Sequence, residues 1–359
     1  MRIQNKKEYI DTPALLLDLD KLEFNLAKTA DFMKTVEADL RPHIKTHKCP
    51  VLAQKQVRAG AIGVTCAKVG EAEVMAKAGI SDILIANQVV GATKIMRLMD
   101  LLAISDVKVA VESEANLIQL SEAAQDRNRT LPVLIEVDVG MNRCGVKTAD
   151  EAVTLAKKID KAKGITLAGV MGYEGHIIFT FDREEREKAA RQCMEALVDV
   201  GKRLEKEGFP IGIVSGGGTG TYDMSSKVKG ITEIQAGSYL TMDVTYGYLN
   251  LGFAQALTLL TTVIAVHGDH VILDCGMKSL THEFGMPQVL GIAEAAVSSL
   301  SEEHGHMTVP DTVKVAIGDK IEIVPTHGCT TINLHDKFYA IRDGSVEGQW
   351  EIAARGKFV

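Results

Sequence analysis

Between about residues 13 and 240 the chain alternates short apolar runs with stretches whose apolar residues recur at helical spacing. No other feature constrains the fold as strongly. Strand, helix and strand at this cadence means parallel strands joined by right-handed crossovers. The strand-like runs are Ala14 to Leu19, Ile62 to Thr65, Ile83 to Ala86, Val107 to Val111, Val133 to Val137, Leu167 to Met171 and Ile213 to Ser215. Helical spacing marks Asp20 to Glu37, Gly70 to Ala78, Ser113 to Asp126, Thr148 to Lys161 and Arg183 to Glu207.

Roughly eight such units in about 230 residues match the size of a (β/α)8 TIM-type barrel. A doubly wound open sheet is the alternative, because periodicity alone does not close a barrel. After about residue 245 the pattern changes to strand-like runs at Leu257 to Val266, Val271 to Asp274, Lys314 to Ala316, Lys320 to Val324 and Phe338 to Ile341. The expected organisation is an α/β barrel over residues 1–245, whose first residues could join the second part, and a mostly β domain over 246–359.

Composition narrows the function. Lys and Arg number 40 against 47 Asp and Glu, a net charge of −7, and only 5% of residues are aromatic, with one Trp. That balance argues against nucleic acid or an anionic membrane as partner. The longest stretch without a charged residue, Val244 to Gly268, contains glycines, Asn250 and threonines, so it reads as strands and loops. The charged N-terminus has no apolar stretch behind it, and six cysteines are scattered without paired spacing. A reduced, cytoplasmic setting is expected.

Three stretches could carry chemistry. In Arg41 to Lys48, period 2 along a strand would put Arg41, His43, Lys45 and His47 on one face. A partly desolvated lysine among positive neighbours suits Schiff-base chemistry; the alternative is a solvated basic patch. In Ser215 to Thr221, four glycines and two threonines after a strand suit a phosphate cradle, or else a flexible turn. It is neither a P-loop nor a dinucleotide fingerprint. In Pro325 to Thr331, His327 and Cys329 at i, i+2 on an extended chain would share one face, and imidazole with thiolate suits Zn²⁺; two ligands are not a site, and the pair alone could be structural. Glu136, Asp138, Asn142 and Arg143, with Tyr173, Glu174 and His176, also follow apolar strands and so fall at the catalytic face of a barrel.

Taken in order, Arg-Pro-His-Ile-Lys-Thr-His-Lys, Gly-Tyr-Glu-Gly-His, Ser-Gly-Gly-Gly-Thr-Gly-Thr, Ala-Gly-Ser-Tyr and Pro-Thr-His-Gly-Cys-Thr-Thr resemble the D-threonine aldolase / D-serine dehydratase family over nearly the whole chain. These are fold-type III pyridoxal-phosphate enzymes, relatives of alanine racemase. The resemblance implies a lyase acting on β-hydroxy-D-amino acids with pyridoxal 5'-phosphate and a divalent metal, working as a homodimer; a thiolate ligand favours zinc, with manganese and magnesium as alternatives. It places the cofactor on Lys45, near His43, with Arg143 by its ring and Tyr173 beside its face. Gly217, Gly218 and Thr219, with Gly237, Ser238 and Tyr239, become the phosphate cradle, and His327 and Cys329 the metal ligands. Aldolase members tend to read His-Cys-Asp where this chain has His327-Gly328-Cys329, which favours dehydration to a 2-oxo acid and ammonia over retro-aldol cleavage to glycine and an aldehyde. A protein that binds the cofactor without turnover, and a racemase, are the remaining readings.

Overall fold

A computed structural model of the chain describes residues 5–178 and 180–359. Residues 1–4 of the charged N-terminal stretch lie outside the described residues, as does Phe179. Two compact units emerge. One comprises Thr29–Lys45, Leu52–Gly237 and Gly356–Val359; the other takes the N-terminal residues through Lys28, Thr46–Val51 and Ser238–Arg355. The division falls at residue 237, and the first 28 residues go with the β-rich unit.

That assignment takes the first strand-like run into the β-rich unit, an outcome that the expected organisation left open. β1 (Ala14–Asp18) pairs antiparallel with the later strand Leu257–His267 and parallel with Lys337–Arg342. Its run of four leucine-rich buried residues is satisfied equally well by either kind of sheet, so periodicity did not identify its partners.

The barrel unit holds β2 (Asp39–Leu40), β3 (Val64–Cys66), β4 (Asp82–Gln88), β5 (Asp106–Val111), β6 (Leu131–Glu136), β7 (Ile165–Met171), β8 (Ile213–Gly216) and β9 (Glu233–Ile234). All eight are parallel, in the order β2-β9-β8-β7-β6-β5-β4-β3. The ring closes between its ends: the Ile62 N–H donates to Leu40 O, Thr65 N–H to Pro42 O and Ile44 N–H to Thr65 O, with His43 bridging Thr65. Leu84, Ala110, Leu134 and Met171, from four successive strands, form one buried cluster. The connecting helices are α1 (Leu19–Met33), which begins in the β-rich unit, then α2 (Pro50–Arg58), α3 (Val69–Lys77), α4 (Ala92–Leu101), α5 (Glu114–Asp126), α6 (Ala149–Lys161), α7 (Arg183–Lys206) and the short α8 (Tyr222–Ser225). Ser113, Thr148 and Asp182 cap α5, α6 and α7 by accepting the N–H three residues on, which fixes where each helix starts.

Arg41 ties the closing strands together. Its guanidinium is buried and donates to Glu233 of β9 at 2.7 and 3.0 Å and to Asp82 of β4 at 2.6 Å, with Lys108 also on Asp82 at 3.0 Å. Arg41 is thus a structural ion-pair centre, not a member of a cationic face.

In the β-rich unit the remaining strands are β10 (Leu257–His267), β11 (His270–Leu273), β12 (Gln288–Leu290), β13 (Ala296–Leu300), β14 (Gly305–Thr308), β15 (Lys320–Val324), β16 (Lys337–Arg342) and β17 (Ser345–Glu351). Their order is β11-β14-β13-β12-β15-β10-β1-β16-β17, and the extra β11–β10 pairing closes six of them into a ring. The eleven-residue β10 makes this possible, pairing with β15 along its first half and with β11 along its second. The expected strand at Lys314 to Ala316 is irregular backbone instead. The unit also carries α9 (Val244–Gly247) and α10 (Gly328–Ile332). Among the described residues no helix is long and apolar enough to cross a membrane.

Candidate active site

In the barrel unit the chain leaves β2 at Leu40, and by Ile44 it is turning rather than extended. The predicted alternation therefore stops at His43. Arg41 points to its carboxylates, His47 is buried with Nδ1 accepting the Cys49 N–H at 3.1 Å, and Lys45 alone of the four is half-buried. The His43 Nδ1 accepts the Lys45 N–H at 3.4 Å and so buttresses that turn.

Lys45 meets Tyr173, which follows β7. Its Nζ stands 5.4 Å from the centre of the Tyr173 ring, and the Arg143 guanidinium carbon lies 5.6 Å from the same ring. Gly175 is what lets the ring sit there, because a Cβ on it would collide with Tyr173. Arg143 is carried by a turn that Asp138 organises, its Oδ1 accepting the N–H groups of Gly140 and Asn142 at 3.0 Å each. Behind it the buried Glu136 carboxylate lies 3.9 Å from the Arg143 guanidinium and accepts from Gln88. Burial pushes the Glu136 carboxyl above its ordinary range, against the hydrogen bond of Gln88 and the charge of Arg143.

The glycine-rich loop reaches the same ring. A Cβ on Gly218 would lie 3.2 Å from Tyr173 Cε2, and Gly217 has φ of +75°, where a side chain is strained. The N–H of Gly217 donates to Glu174 at 3.2 Å and that of Gly218 to Thr221 Oγ1 at 3.2 Å. One of these N–H groups is thus held by Glu174 from outside the loop and the other within it, which differs from a cradle built on all of its glycines. Thr219 is buried beside them, and Gly237 ends the barrel unit three residues after β9. Lys45, Arg143, Tyr173 and Gly218 thus surround one place with an amine, a cation, an aromatic face and a backbone that leaves no room for a Cβ. Pyridoxal phosphate, with its aldehyde, flat ring and phosphate, fits that set.

The β-rich unit holds the other candidates. His327 is the residue before α10 and Cys329 lies in its first turn, so the pair sits on a helix start rather than on an extended chain. The spacing still brings the two side chains into hydrogen-bond contact. Asp243 fixes the turn: it is buried, and its carboxylate accepts the Gly328 and Tyr246 N–H groups at 2.9 Å each. His327 Nδ1 donates to Glu283 at 2.6 Å, and Phe284 stacks on the imidazole with centroids 4.8 Å apart. Burial alone would lower the His327 pKa, but Cys329, Glu283 and Asp243 together push it up to about 9. Cys329 Sγ stands 3.4 Å from Thr46 Oγ1 and 3.9 Å from Ser238 Oγ. Ser238 is therefore placed beside the thiol, and the Tyr239 ring is buried with Phe253 at 5.8 Å.

Among the described residues no group of three or more His, Cys, Asp or Glu is arranged to hold a metal. An imidazole and a thiolate fit a divalent cation that keeps positions open for water and substrate, as catalytic metals do. A carboxylate on Nδ1 is the usual way to orient such an imidazole. Sequence reasoning did not find Glu283 or Asp243; each acts on His327 or Gly328 from more than 40 residues away, with no local signal. None of the six cysteines is in a disulfide.

Two family models match the chain in succession. Residues 17–244 match the family described as alanine racemase, N-terminal domain, and 256–341 the one described as "Putative serine dehydratase domain". The chain is 38% identical to a D-threonine aldolase of an Arthrobacter species, covering 97% of this chain and 93% of that protein. It superposes on the crystal structure of a D-threonine aldolase from Filomicrobium marinum with a TM-score of 0.96 at 36% identity, covering 99% and 98% of the two chains. D-threo-3-hydroxyaspartate dehydratase from Delftia sp. HT23 gives a TM-score of 0.86 at 28% identity over 97% and 99%. That dehydratase is also known as a histidine-to-alanine variant and, in the metal-free form, as a cysteine-to-alanine variant two positions along. The chain thus belongs to the alanine racemase-like family of fold-type III pyridoxal-phosphate enzymes, in the branch that contains the D-threonine aldolases and D-threo-3-hydroxyaspartate dehydratase.

Proposed function

We propose that this protein is a lyase of β-hydroxy-D-amino acids that uses pyridoxal 5'-phosphate and a divalent metal. The observation that carries the reading is the convergence of Lys45, Arg143 and Gly218 on the Tyr173 ring. When bound, the cofactor supplies an electron sink that lowers the barrier to losing a group from Cα, and the metal supplies Lewis acidity toward a hydroxyl oxygen. Lys45 would hold the cofactor through its amine, and its Nζ would serve as the base toward a Cα proton. Tyr173 fixes a plane, Arg143 adds positive charge at one edge, and Gly217, Gly218 and Thr219, with Gly237, Ser238 and Tyr239, serve the phosphate end. His327 and Cys329 hold the metal, which by the softness of thiolate is zinc rather than manganese or magnesium. A homodimer in the cytoplasm completes the proposal, on the strength of the family resemblance and of six scattered cysteines without a disulfide.

Dehydration is the reaction we favour. Its support is the His-x-Cys spacing of His327 and Cys329, shared with the histidine and cysteine replaced in the dehydratase variants. Aldol cleavage has its own support, since the aldolases share more of this sequence than the dehydratase does. Incubation with D-serine, D-threonine and D-3-hydroxyaspartate separates the two. Dehydration releases ammonia and a 2-oxo acid, whereas cleavage releases glycine and an aldehyde. Chelation or Cys329→Ala should abolish either, with the cofactor absorbance retained. Undiminished turnover in chelator would remove His327 and Cys329 from the proposal.

A further inference from the structure

The residue after Tyr173 is buried, charged and unused by the chemistry above. Glu174 is 1% exposed, yet its carboxylate is fully engaged: Oε2 accepts the Gly217 N–H at 3.2 Å, and Oε1 accepts the hydroxyls of Thr221 at 2.7 Å and Ser225 at 2.8 Å. These three donors run from the glycine-rich loop to the last residue of α8, more than 40 residues further along the chain. A carboxylate sunk in a barrel is costly unless its lone pairs are all used, so it persists only where the donors are held in a fixed arrangement.

A second buried charge grips the far end of the loop. Arg186 of α7 is fully buried and donates through Nε to Gly220 O at 3.1 Å, while Nη1 donates to Thr180 O at 2.7 Å and Phe181 O at 3.1 Å. The two groups are opposite in kind. Glu174 takes an N–H of the loop and Arg186 takes a carbonyl of it. Gly217 is in the left-handed region at φ of +75°, so the backbone there turns on a glycine and depends on outside contacts for its direction. Turning a carbonyl away from an incoming anion removes repulsion, and fixing the turn before binding lowers the ordering cost.

We infer that Glu174 is a positioning residue for the cofactor phosphate: with Arg186 it presets the Gly217–Gly220 backbone without touching the ligand. The inference rests on the functional reading above, in which this loop receives the phosphate. Because Glu174 follows Tyr173 directly, one short segment after β7 then sets both the ring-facing and the loop-facing sides of the site.

The test compares pyridoxal 5'-phosphate with pyridoxal, which carries the same aldehyde and ring but no phosphate, each titrated into the full chain stripped of cofactor. Glu174→Ala and Arg186→Met should each weaken the phosphorylated ligand by ~10- to 100-fold, as expected when hydrogen bonds to a buried charge are lost. Pyridoxal affinity should stay at the wild-type value. Glu174→Gln keeps an acceptor for Gly217 and can donate to the two hydroxyls, so it should restore most of the affinity. Equal weakening of both ligands would make the role one of general folding and overturn the inference, as would undiminished phosphate-ligand binding in Glu174→Ala. Should that variant fail to fold, Ser225→Ala removes a single donor, and a selective loss for the phosphorylated ligand supports the inference while no loss overturns it. A wild-type chain that takes neither ligand sinks the functional reading, and this role with it.

Discussion

Gly218 shows how a residue requirement can come from space rather than from backbone freedom. Its φ is not in the left-handed region, but a Cβ would press on Tyr173 at 3.2 Å. Gly217 is required on both grounds. Gly218→Val should therefore displace the Tyr173 ring and lower cofactor affinity by at least ~10-fold, on the scale of overpacking costs of ~1–3 kcal/mol, while the far-ultraviolet circular dichroism stays that of wild type. Titration with pyridoxal phosphate at low concentration measures it, and full retention of cofactor would contradict it. At this scale the sequence singles out what is local: the glycine run, and a lysine in a distinctive octamer. It marked Glu174 only as a polar residue following a strand and gave no sign of its partners Gly217, Thr221 and Ser225. It also misread Arg41, because the carboxylates that claim that side chain belong to β4 and β9.

Elements were legible in proportion to their length. The helices α5, α6 and α7 carry caps and long apolar stripes, and their expected limits fall close to the observed ones. β2 and β9 are two residues each, too short for any period to register, yet they complete the barrel. What holds them is the Arg41 centre. Arg41→Met should strip Glu233 and Asp82 of their shared cation and cost about 3–5 kcal/mol, the usual penalty for leaving one partner of a buried pair. The pH dependence has a definite sign. Burial would raise the Asp82 carboxyl, but the hydrogen bond and charge of Arg41, with Lys108, bring it below its ordinary value. A carboxylate lowered in the fold contributes stability above its unfolded pKa of about 3.8 and loses it as pH falls through the folded value. Denaturant unfolding should show the wild-type advantage in full near neutrality and shrinking below about pH 4; a constant gap would assign the stabilisation to packing instead.

At the scale of the whole molecule, the sequence distinguished an α/β part from a β part and allowed the first residues to join the latter, without showing which strands they would meet. β1 lies more than 200 residues from β10, with which it pairs, and a short leucine-rich strand says nothing about which sheet will take it. β12, β13 and β14 went unread for the opposite reason: they are short, with mixed polar faces. The functional account nevertheless draws on both units, the lysine site from one and the His327–Cys329 turn from the other. Its central claim is that Lys45, and no other lysine, carries the cofactor. Reduction of the yellow holoprotein with borohydride, followed by digestion and mass mapping, tests that claim directly. The account predicts a single pyridoxyl-phosphate label on the peptide containing Lys45 and loss of the label in Lys45→Ala; a label on Lys48, Lys68 or any other lysine would contradict it.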